Sequence, residues 1–161
     1  MAILDNIRNV MNKVIRIICI VLFAFMVIIG TYQILVRYIF NSPSTVSEEL
    51  LTYSFTWMSL FAAAYVSGKR EHMRMGFLAD KLSGKNLTIL NVVIEIITSA
   101  FALIVMVYGG ISITSLSMTQ KTASLGIPMG YIYIVIPITG IVIAVYGILN
   151  VTDLIRKGEN V

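Results

Sequence analysis

The ionisable residues inside or beside apolar runs are the ones in this sequence that could do chemistry. Arg37 follows the first apolar run, Glu48 and Glu49 precede the second, and Glu95 lies about two turns into the third. A charged group within a bilayer is costly, so it pairs with another polar group or marks a substrate or ion pathway. We predict that Arg37 forms an ion pair with Glu48 or Glu49. Direct contact of these charges with a partner or substrate is the alternative.

Glu95 has two interpretations. In the structural one, it pairs with a basic residue at a similar depth, for which Arg16, Lys69 and Arg70 are candidates. In the functional one, it is a proton- or drug-coupled carboxylate. No second carboxylate in the apolar runs lies at that depth to complete a relay, which favours the structural interpretation.

Catalytic chemistry has little support in this sequence. The chain has one cysteine, Cys19, and one histidine, His72, which excludes a disulfide within the chain and a haem held between two histidines. No nucleophile–base arrangement, phosphate-binding glycine loop or cluster of metal ligands is present. We therefore predict no enzyme activity, no catalytic residue, no cofactor and no metal.

The composition indicates a membrane protein. Hydrophobic residues make up 58% of the 161 residues and charged residues 12%, whereas charged residues are about 25% of a typical soluble domain. Four apolar runs reach the roughly 20 residues that a helix needs to cross a bilayer. We predict an all-α fold in one membrane domain, with transmembrane helices at about 17–37, 48–68, 87–117 and 128–150. The first run is too long for the core of a cleaved signal peptide, so it is predicted to be retained.

Residues 1–15 carry an amphipathic pattern. Apolar residues recur at helical spacing, and polar residues occupy the opposite side. The pattern predicts a short amphipathic helix that lies in the membrane interface. The alternative is that residues 1–15 simply extend the first transmembrane helix into the cytoplasm.

The basic residues predict the orientation. Of the twelve, only Arg37 and Lys121 fall on one side of the four crossings. The other ten lie in the two terminal segments and in the loop between helices two and three. Basic loops face the cytoplasm, so both termini and the loop containing His72 are predicted to be cytoplasmic in a bacterial inner membrane. Because the basic residues sit between apolar runs, we expect contacts with phospholipid headgroups and no nucleic-acid partner.

Small residues and prolines mark the packing of the helices. Stripes of small residues allow close approach to another helix, of this chain or of a partner. The two stripes are Ser59, Ala63 and Ser67 in helix two, and Gly140, Ala144 and Gly147 in helix four. Pro128 suits the first turn of helix four, and Pro137 should kink that helix or remove one hydrogen bond. The long third helix should tilt, or bend at Gly109-Gly110.

Three segments together resemble the small membrane subunit of tripartite ATP-independent periplasmic (TRAP) transporters. They are Arg37-Tyr38-Ile39-Phe40-Asn41 with Pro43 and Glu48-Glu49-Leu50, then Gly68-Lys69-Arg70-Glu71-His72-Met73-Arg74-Met75, and Leu125-Gly126-Ile127-Pro128-Met129 with Tyr133 and Pro137. In the second segment, Gly68, His72 and Arg74 are the positions singled out as the motif of the cytoplasmic loop. The sequence departs from the family pattern at Val46, where tryptophan is common, and at Gly76, where aspartate is common. It also lacks a tryptophan that is common after the Leu-Gly-Ile-Pro segment, near Gly130.

The resemblance implies an accessory role in transport. In this family a soluble periplasmic substrate-binding protein captures an organic acid, such as a dicarboxylate, keto acid or sialic acid. A large membrane subunit then imports it with a sodium gradient, and the small subunit enlarges the stationary scaffold of the large one. One alternative is a four-helix multidrug exporter that works as a dimer, but its key carboxylate belongs in helix one, where this chain has none. A membrane assembly factor is the other alternative.

Overall fold

The computed structural model describes residues 2–69 and 85–158, which form an α-helical bundle. The first two helices are α1 (Ala2–Ile39) and α2 (Thr45–Lys69). The third helix comprises α3 (Lys85–Phe101), a π-helical segment (Ala102–Gly109) and α4 (Gly110–Ser117). The fourth comprises α5 (Gly130–Tyr133) and α6 (Val135–Gly158). Within the described ranges there is no strand, and the predicted all-α membrane fold is confirmed.

The N-terminal segment is part of the first helix. Residues 2–15 continue into the apolar run without a break, so the structure has no separate interfacial helix and corresponds to the alternative in which they extend helix one. The 38 residues of α1 measure about 57 Å at 1.5 Å per residue. The hydrocarbon core is about 30 Å thick, so α1 must project beyond it. Its amphipathic turns project at the N-terminal end, where Ile15 is buried against the other helices.

A tight connection joins α1 to α2. Asn41 adopts a left-handed backbone conformation (φ 50°), which asparagine tolerates better than most residues. Ser44 then caps α2, because its hydroxyl oxygen accepts a hydrogen bond from the backbone N–H of Ser47 at 3.4 Å. These two residues let α2 start close to the end of α1 and return alongside it.

The third helix changes its hydrogen-bond register without losing its helical backbone. The π-helical segment Ala102–Gly109 precedes a return to α-helix at Gly110, and both Gly109 and Gly110 have ordinary right-handed helical angles. A π segment places extra residues into the turn and rotates the face that follows it. Gly110 then packs closely on the fourth helix, since a Cβ atom there would lie 2.9 Å from Cδ of Pro137.

The fourth helix is the centre of the bundle. In the most apolar 18-residue stretch of the fourth helix, 56% of the residues are buried inside the bundle. The corresponding share is 6% in α1 and 6% in the third helix. The helical run is interrupted at Ile134, three residues before Pro137. Proline has no N–H to donate to residue i−4, here Tyr133, which accounts for a break at this point.

In the part of the chain that the structure describes, three helices are long and apolar enough to cross a membrane: Leu4–Ile39, Ile89–Ser117 and Gly130–Leu154. The remaining helix, α2, has 25 residues and is long enough to cross a membrane. Its several Ser and Thr residues make it less hydrophobic than the other three. It lies between α1 and the fourth helix, and its Trp57 indole N–H donates to the carbonyl of Ile132 at 3.0 Å. The helix α2 is thus packed within the bundle, between two of the apolar helices.

Candidate functional sites

Glu49 and the connection between the third and fourth helices form a polar cluster at one end of the bundle, which we call the loop end. The Oε1 and Oε2 atoms of half-buried Glu49 accept hydrogen bonds from the backbone N–H groups of Ser124 at 2.9 Å and Leu125 at 3.0 Å. Hydrogen bonds to an ionised acceptor are about twice as strong as neutral ones. One carboxylate therefore fastens the start of α2 to a connection about 75 residues away in the sequence.

The connection that Glu49 holds is ordered by its own backbone. The N–H of Thr122 donates to the carbonyl of Ile127 at 2.9 Å, and the Thr122 hydroxyl oxygen accepts from the N–H of Ile127 at 3.2 Å. Gly126 lies in the left-handed region with φ 66°, where a side chain would be strained. Pro128 pairs with Lys121 in an isolated β-bridge two residues before α5, so it lies just ahead of the helix.

The predicted ion pair of Arg37 is not formed within this chain. Glu48 accepts a hydrogen bond from the side-chain amide of Gln33 at 3.2 Å, and Glu49 is occupied by the two backbone N–H groups. Among the described residues, exposed Arg37 has no ion pair with either carboxylate. Two backbone donors at fixed positions satisfy the half-buried Glu49 without the entropy cost of ordering a long arginine side chain.

Asn150 organises a second polar cluster at the opposite end, which we call the terminal end. Its fully buried amide Oδ1 accepts from Nη2 of Arg8 at 3.2 Å. Its Nδ2 donates to the carbonyl of Ser67 and to Oε1 of Glu95, both at 3.1 Å. These residues belong to α1, α2, α3 and α6, so one side chain joins all four helices.

Two further contacts complete the terminal-end cluster. Arg8 forms an ion pair with Asp153, with 2.7 Å between Nη2 and Oδ2. The fully buried Tyr146 donates its hydroxyl hydrogen to Oδ1 of Asn12 at 2.7 Å. Gly68 lies against the Tyr146 ring, where a Cβ atom would come within 2.5 Å of Cζ. Of the motif Gly68, His72 and Arg74, only Gly68 lies in the described residues, and its role there is close packing.

The structure gives Glu95 a partner that the sequence did not suggest, the amide of Asn150. Asn150 donates to its carboxylate, while Arg16 donates to the hydroxyl of Tyr65 at 3.3 Å. Arg70, another candidate, lies outside the described residues. Sequence reasoning missed Asn150, although a polar residue directly after an apolar run was a visible signal. It also counted Arg8 only as an orientation signal.

The stripe on the fourth helix packs inside the chain. A Cβ atom on Gly140 would lie 2.7 Å from Cβ of Met106 and 3.1 Å from the carbonyl oxygen of Ala102. Ala144 is buried, and a Cβ atom on Gly147 would collide with the Ser99 hydroxyl. The fourth-helix stripe therefore serves contact with the third helix and does not offer a face to a partner.

The stripe on α2 is divided. Ser67 is buried, its hydroxyl donates to the carbonyl of Ala63 at 3.1 Å, and its own carbonyl accepts from Asn150. Ser59 and Ala63 are exposed, on the same side of α2 as Thr52 and Phe55. Only this part of the stripe is open to another molecule.

Within residues 2–69 and 85–158, no group of three or more His, Cys, Asp or Glu residues is gathered to hold a metal ion. Apart from the hydrogen bond of Trp57, midway along α2, the hydrogen bonds described above between α1, α2 and the other helices lie toward the two ends of the bundle. Apolar packing dominates between those ends. The fold and its polar clusters define a multi-pass membrane protein whose own groups hold its helices together.

Comparison with known proteins identifies the family. Residues 26–157 match the family described as "Tripartite ATP-independent periplasmic transporters, DctQ component", and the chain belongs to this family. It is 28% identical over 140 residues to the sialic acid TRAP transporter small permease protein SiaQ of Vibrio cholerae, covering 82% of this chain and 81% of that protein. It is 24% identical over 157 residues to a candidate TRAP transporter small permease protein of Haemophilus influenzae, covering 96% and 97%. The protein is thus a small membrane subunit of a TRAP-type transporter in the inner membrane.

Proposed function

We propose that this chain is an accessory subunit that binds the large membrane subunit and does not itself carry substrate. The observation that carries the proposal is that the polar groups near the membrane-spanning parts of the helices are hydrogen-bonded to other residues of this chain. Asn150 and Glu95 bond to each other, and Asn150 also bonds to Arg8 and to the Ser67 carbonyl. A transport site needs polar groups that can exchange protein partners for substrate or ions. Groups committed to joining helices are suited to a rigid scaffold.

The proposed complex imports an organic acid with a sodium gradient. Its other components are the large membrane subunit and a periplasmic substrate-binding protein. The name of the Vibrio cholerae relative specifies sialic acid, and we extend from it only the class of substrate, a carboxylate of the dicarboxylate, keto acid or sialic acid type.

Reconstitution into liposomes tests the proposal. With an inward sodium gradient, uptake of a labelled organic acid should require this chain, the large subunit and the binding protein together. Omission of any one should reduce uptake to the level of empty liposomes. If this chain alone moves an organic solute or a cationic drug, the accessory role is wrong and a self-sufficient exporter takes its place.

The large subunit is proposed to dock on the exposed side of α2. The outward sides of α1 and the third helix carry bulky apolar residues such as Ile28 (66% exposed) and Ile104 (66% exposed), which suit lipid. The outward side of α2 presents the small residues Ser59 and Ala63 beside exposed Phe55, and small residues let two helices approach closely in a membrane. The Ser59 hydroxyl already donates to the carbonyl of Phe55, so docking need not leave it unsatisfied.

We further propose that the loop end faces the periplasm and the terminal end the cytoplasm. The basis is the concentration of basic residues at the terminal end.

An Ala123→Cys variant should react with a membrane-impermeant maleimide in intact cells, since Ala123 is exposed in the connection before α5. The parent chain, whose Cys19 lies within the first apolar run, provides the background. A C-terminal fluorescent-protein fusion should fluoresce, and a C-terminal alkaline phosphatase fusion should be inactive. The opposite pattern would reverse the orientation.

A further inference from the structure

Two basic residues from different helices meet at one tyrosine near the terminal end. Arg16 of α1 donates from Nη2 to the hydroxyl oxygen of Tyr65 at 3.3 Å, with Cζ 6.0 Å from the ring centroid. Nζ of Lys69, one turn after Tyr65 in α2, lies 5.0 Å from the same centroid. Cζ of Arg16 and Nζ of Lys69 are therefore no further apart than the sum of their two distances to the ring centroid. The ring is held in place by packing against the core cluster that contains Tyr146.

Both charges lie at the depth of the membrane boundary. Arg16 is the last charged residue before the apolar run of α1, and Lys69 is the first charged residue after the apolar part of α2. The two runs are antiparallel neighbours, so their ends mark one surface of the hydrocarbon core. Phosphate groups of phospholipids lie at this level, just outside the hydrocarbon.

The three side chains have complementary functions toward a phosphate. Arginine presents a planar set of N–H donors that matches phosphate oxygens, and lysine supplies a compact positive charge. Tyr65 accepts the Arg16 hydrogen bond with its oxygen, which leaves its hydroxyl hydrogen able to donate. Among the described residues, exposed Arg16 has no ion pair with a carboxylate. Arg8, in contrast, is engaged by Asp153 and Asn150.

We propose that Arg16, Tyr65 and Lys69 form a binding site for the phosphate headgroup of an anionic phospholipid, such as phosphatidylglycerol. The two neighbouring positive charges attract an anionic headgroup. A zwitterionic headgroup brings its own ammonium group, which those charges repel. Lys13 is exposed and one turn before Arg16 on α1, and it adds to the positive potential that attracts the lipid. The site is independent of the transport role and of the orientation of the chain.

The test is a titration of the purified chain in neutral detergent with dioctanoyl phosphatidylglycerol, followed by native mass spectrometry. Arg16→Gln and Lys69→Gln should each weaken binding about fivefold, and the double variant about 25-fold, since each basic residue near an anionic surface contributes by roughly that factor. Arg16→Lys should retain more binding than Arg16→Gln because it keeps the charge. The matched control is Lys121→Gln, which removes a positive charge at the loop end and should leave the affinity unchanged.

Two further arms identify the ligand. Phosphatidylcholine of the same chain length should bind at least about tenfold more weakly than phosphatidylglycerol, and millimolar inorganic phosphate should not displace the lipid. Equal affinity of the parent and the double variant, or an equal loss in Lys121→Gln, would overturn the site. Displacement by inorganic phosphate would overturn the assignment to a lipid. Circular dichroism of each variant separates loss of binding from loss of fold.

Discussion

Replacing Glu49 with glutamine is expected to release the connection between the third and fourth helices from α2. The variant removes the charge and places an amide NH₂ group against one of the two N–H donors, Ser124 or Leu125. Hydrogen bonds to charged groups contribute about 1.5–3 kcal/mol each, so the free energy of unfolding should fall by about 2–4 kcal/mol. Unfolding in mixed micelles with increasing dodecyl sulfate measures this change.

Glu48→Gln is the matched control for Glu49→Gln. Its carboxylate is exposed and accepts one hydrogen bond from Gln33, so its loss should change stability by less than about 1 kcal/mol. Hydrogen exchange localises the effect, because the amides of Ser124 and Leu125 should exchange faster in Glu49→Gln and at the parental rate in Glu48→Gln. Equal effects of the two variants would show that the Glu49 contacts do not hold the connection.

The Glu49 contacts also explain why two distant motifs occur in one chain. The segment Glu48-Glu49-Leu50 and the segment Leu125-Gly126-Ile127-Pro128 were recognised separately in the sequence. In the structure Glu49 holds the N–H of Leu125, and Gly126 provides the left-handed turn that presents it. Both segments were identified from the sequence, but their contact could not be predicted. Almost every residue type has a backbone N–H group, so a hydrogen bond to that group does not depend on which residue is present. It therefore assigned the carboxylates to the nearest basic residue, Arg37.

The helices themselves could be predicted from the composition of the sequence. Runs of about 20 apolar residues have few alternatives to a membrane-spanning helix, since every backbone group must be satisfied within it. The continuity of α1 could not be predicted, because an amphipathic segment is suited both to the membrane interface and to a helix that projects from the membrane. The extension is stabilised by contacts distant in sequence, such as Arg8 with Asp153 and Asn12 with Tyr146.

The Asn150 cluster shows the same limit at the terminal end. Its contacts span 55 to 142 positions of the sequence, and they depend on which side of each helix faces the centre of the bundle. A polar residue at the end of an apolar run was visible, but its four-helix environment was not. The small-residue stripes posed the same problem, since their spacing indicates close packing and does not say against what.

A pair of leucine substitutions resolves the two stripes by their opposite effects. Gly140→Leu should strongly destabilise the chain, because the new side chain meets Cβ of Met106 and the backbone oxygen of Ala102, which cannot move aside. Overpacking usually costs about 1–3 kcal/mol, and we expect the upper end of that range. Lower accumulation in the membrane and a lower unfolding midpoint should follow, even without the large subunit.

Ala63→Leu should have the converse effect. Ala63 is exposed on α2, so the added apolar atoms face lipid in the isolated chain and its stability should change by less than about 0.5 kcal/mol. In the complex the same atoms would separate α2 from the docked helix, and a penalty of about 1.4 kcal/mol or more would lower the affinity for the large subunit at least tenfold. Affinity measured by microscale thermophoresis in detergent, with Ile104→Leu as a control on a lipid-facing side, checks this. Unchanged binding by Ala63→Leu would remove α2 as the docking face, because a leucine cannot fit unnoticed where two helices approach through small residues.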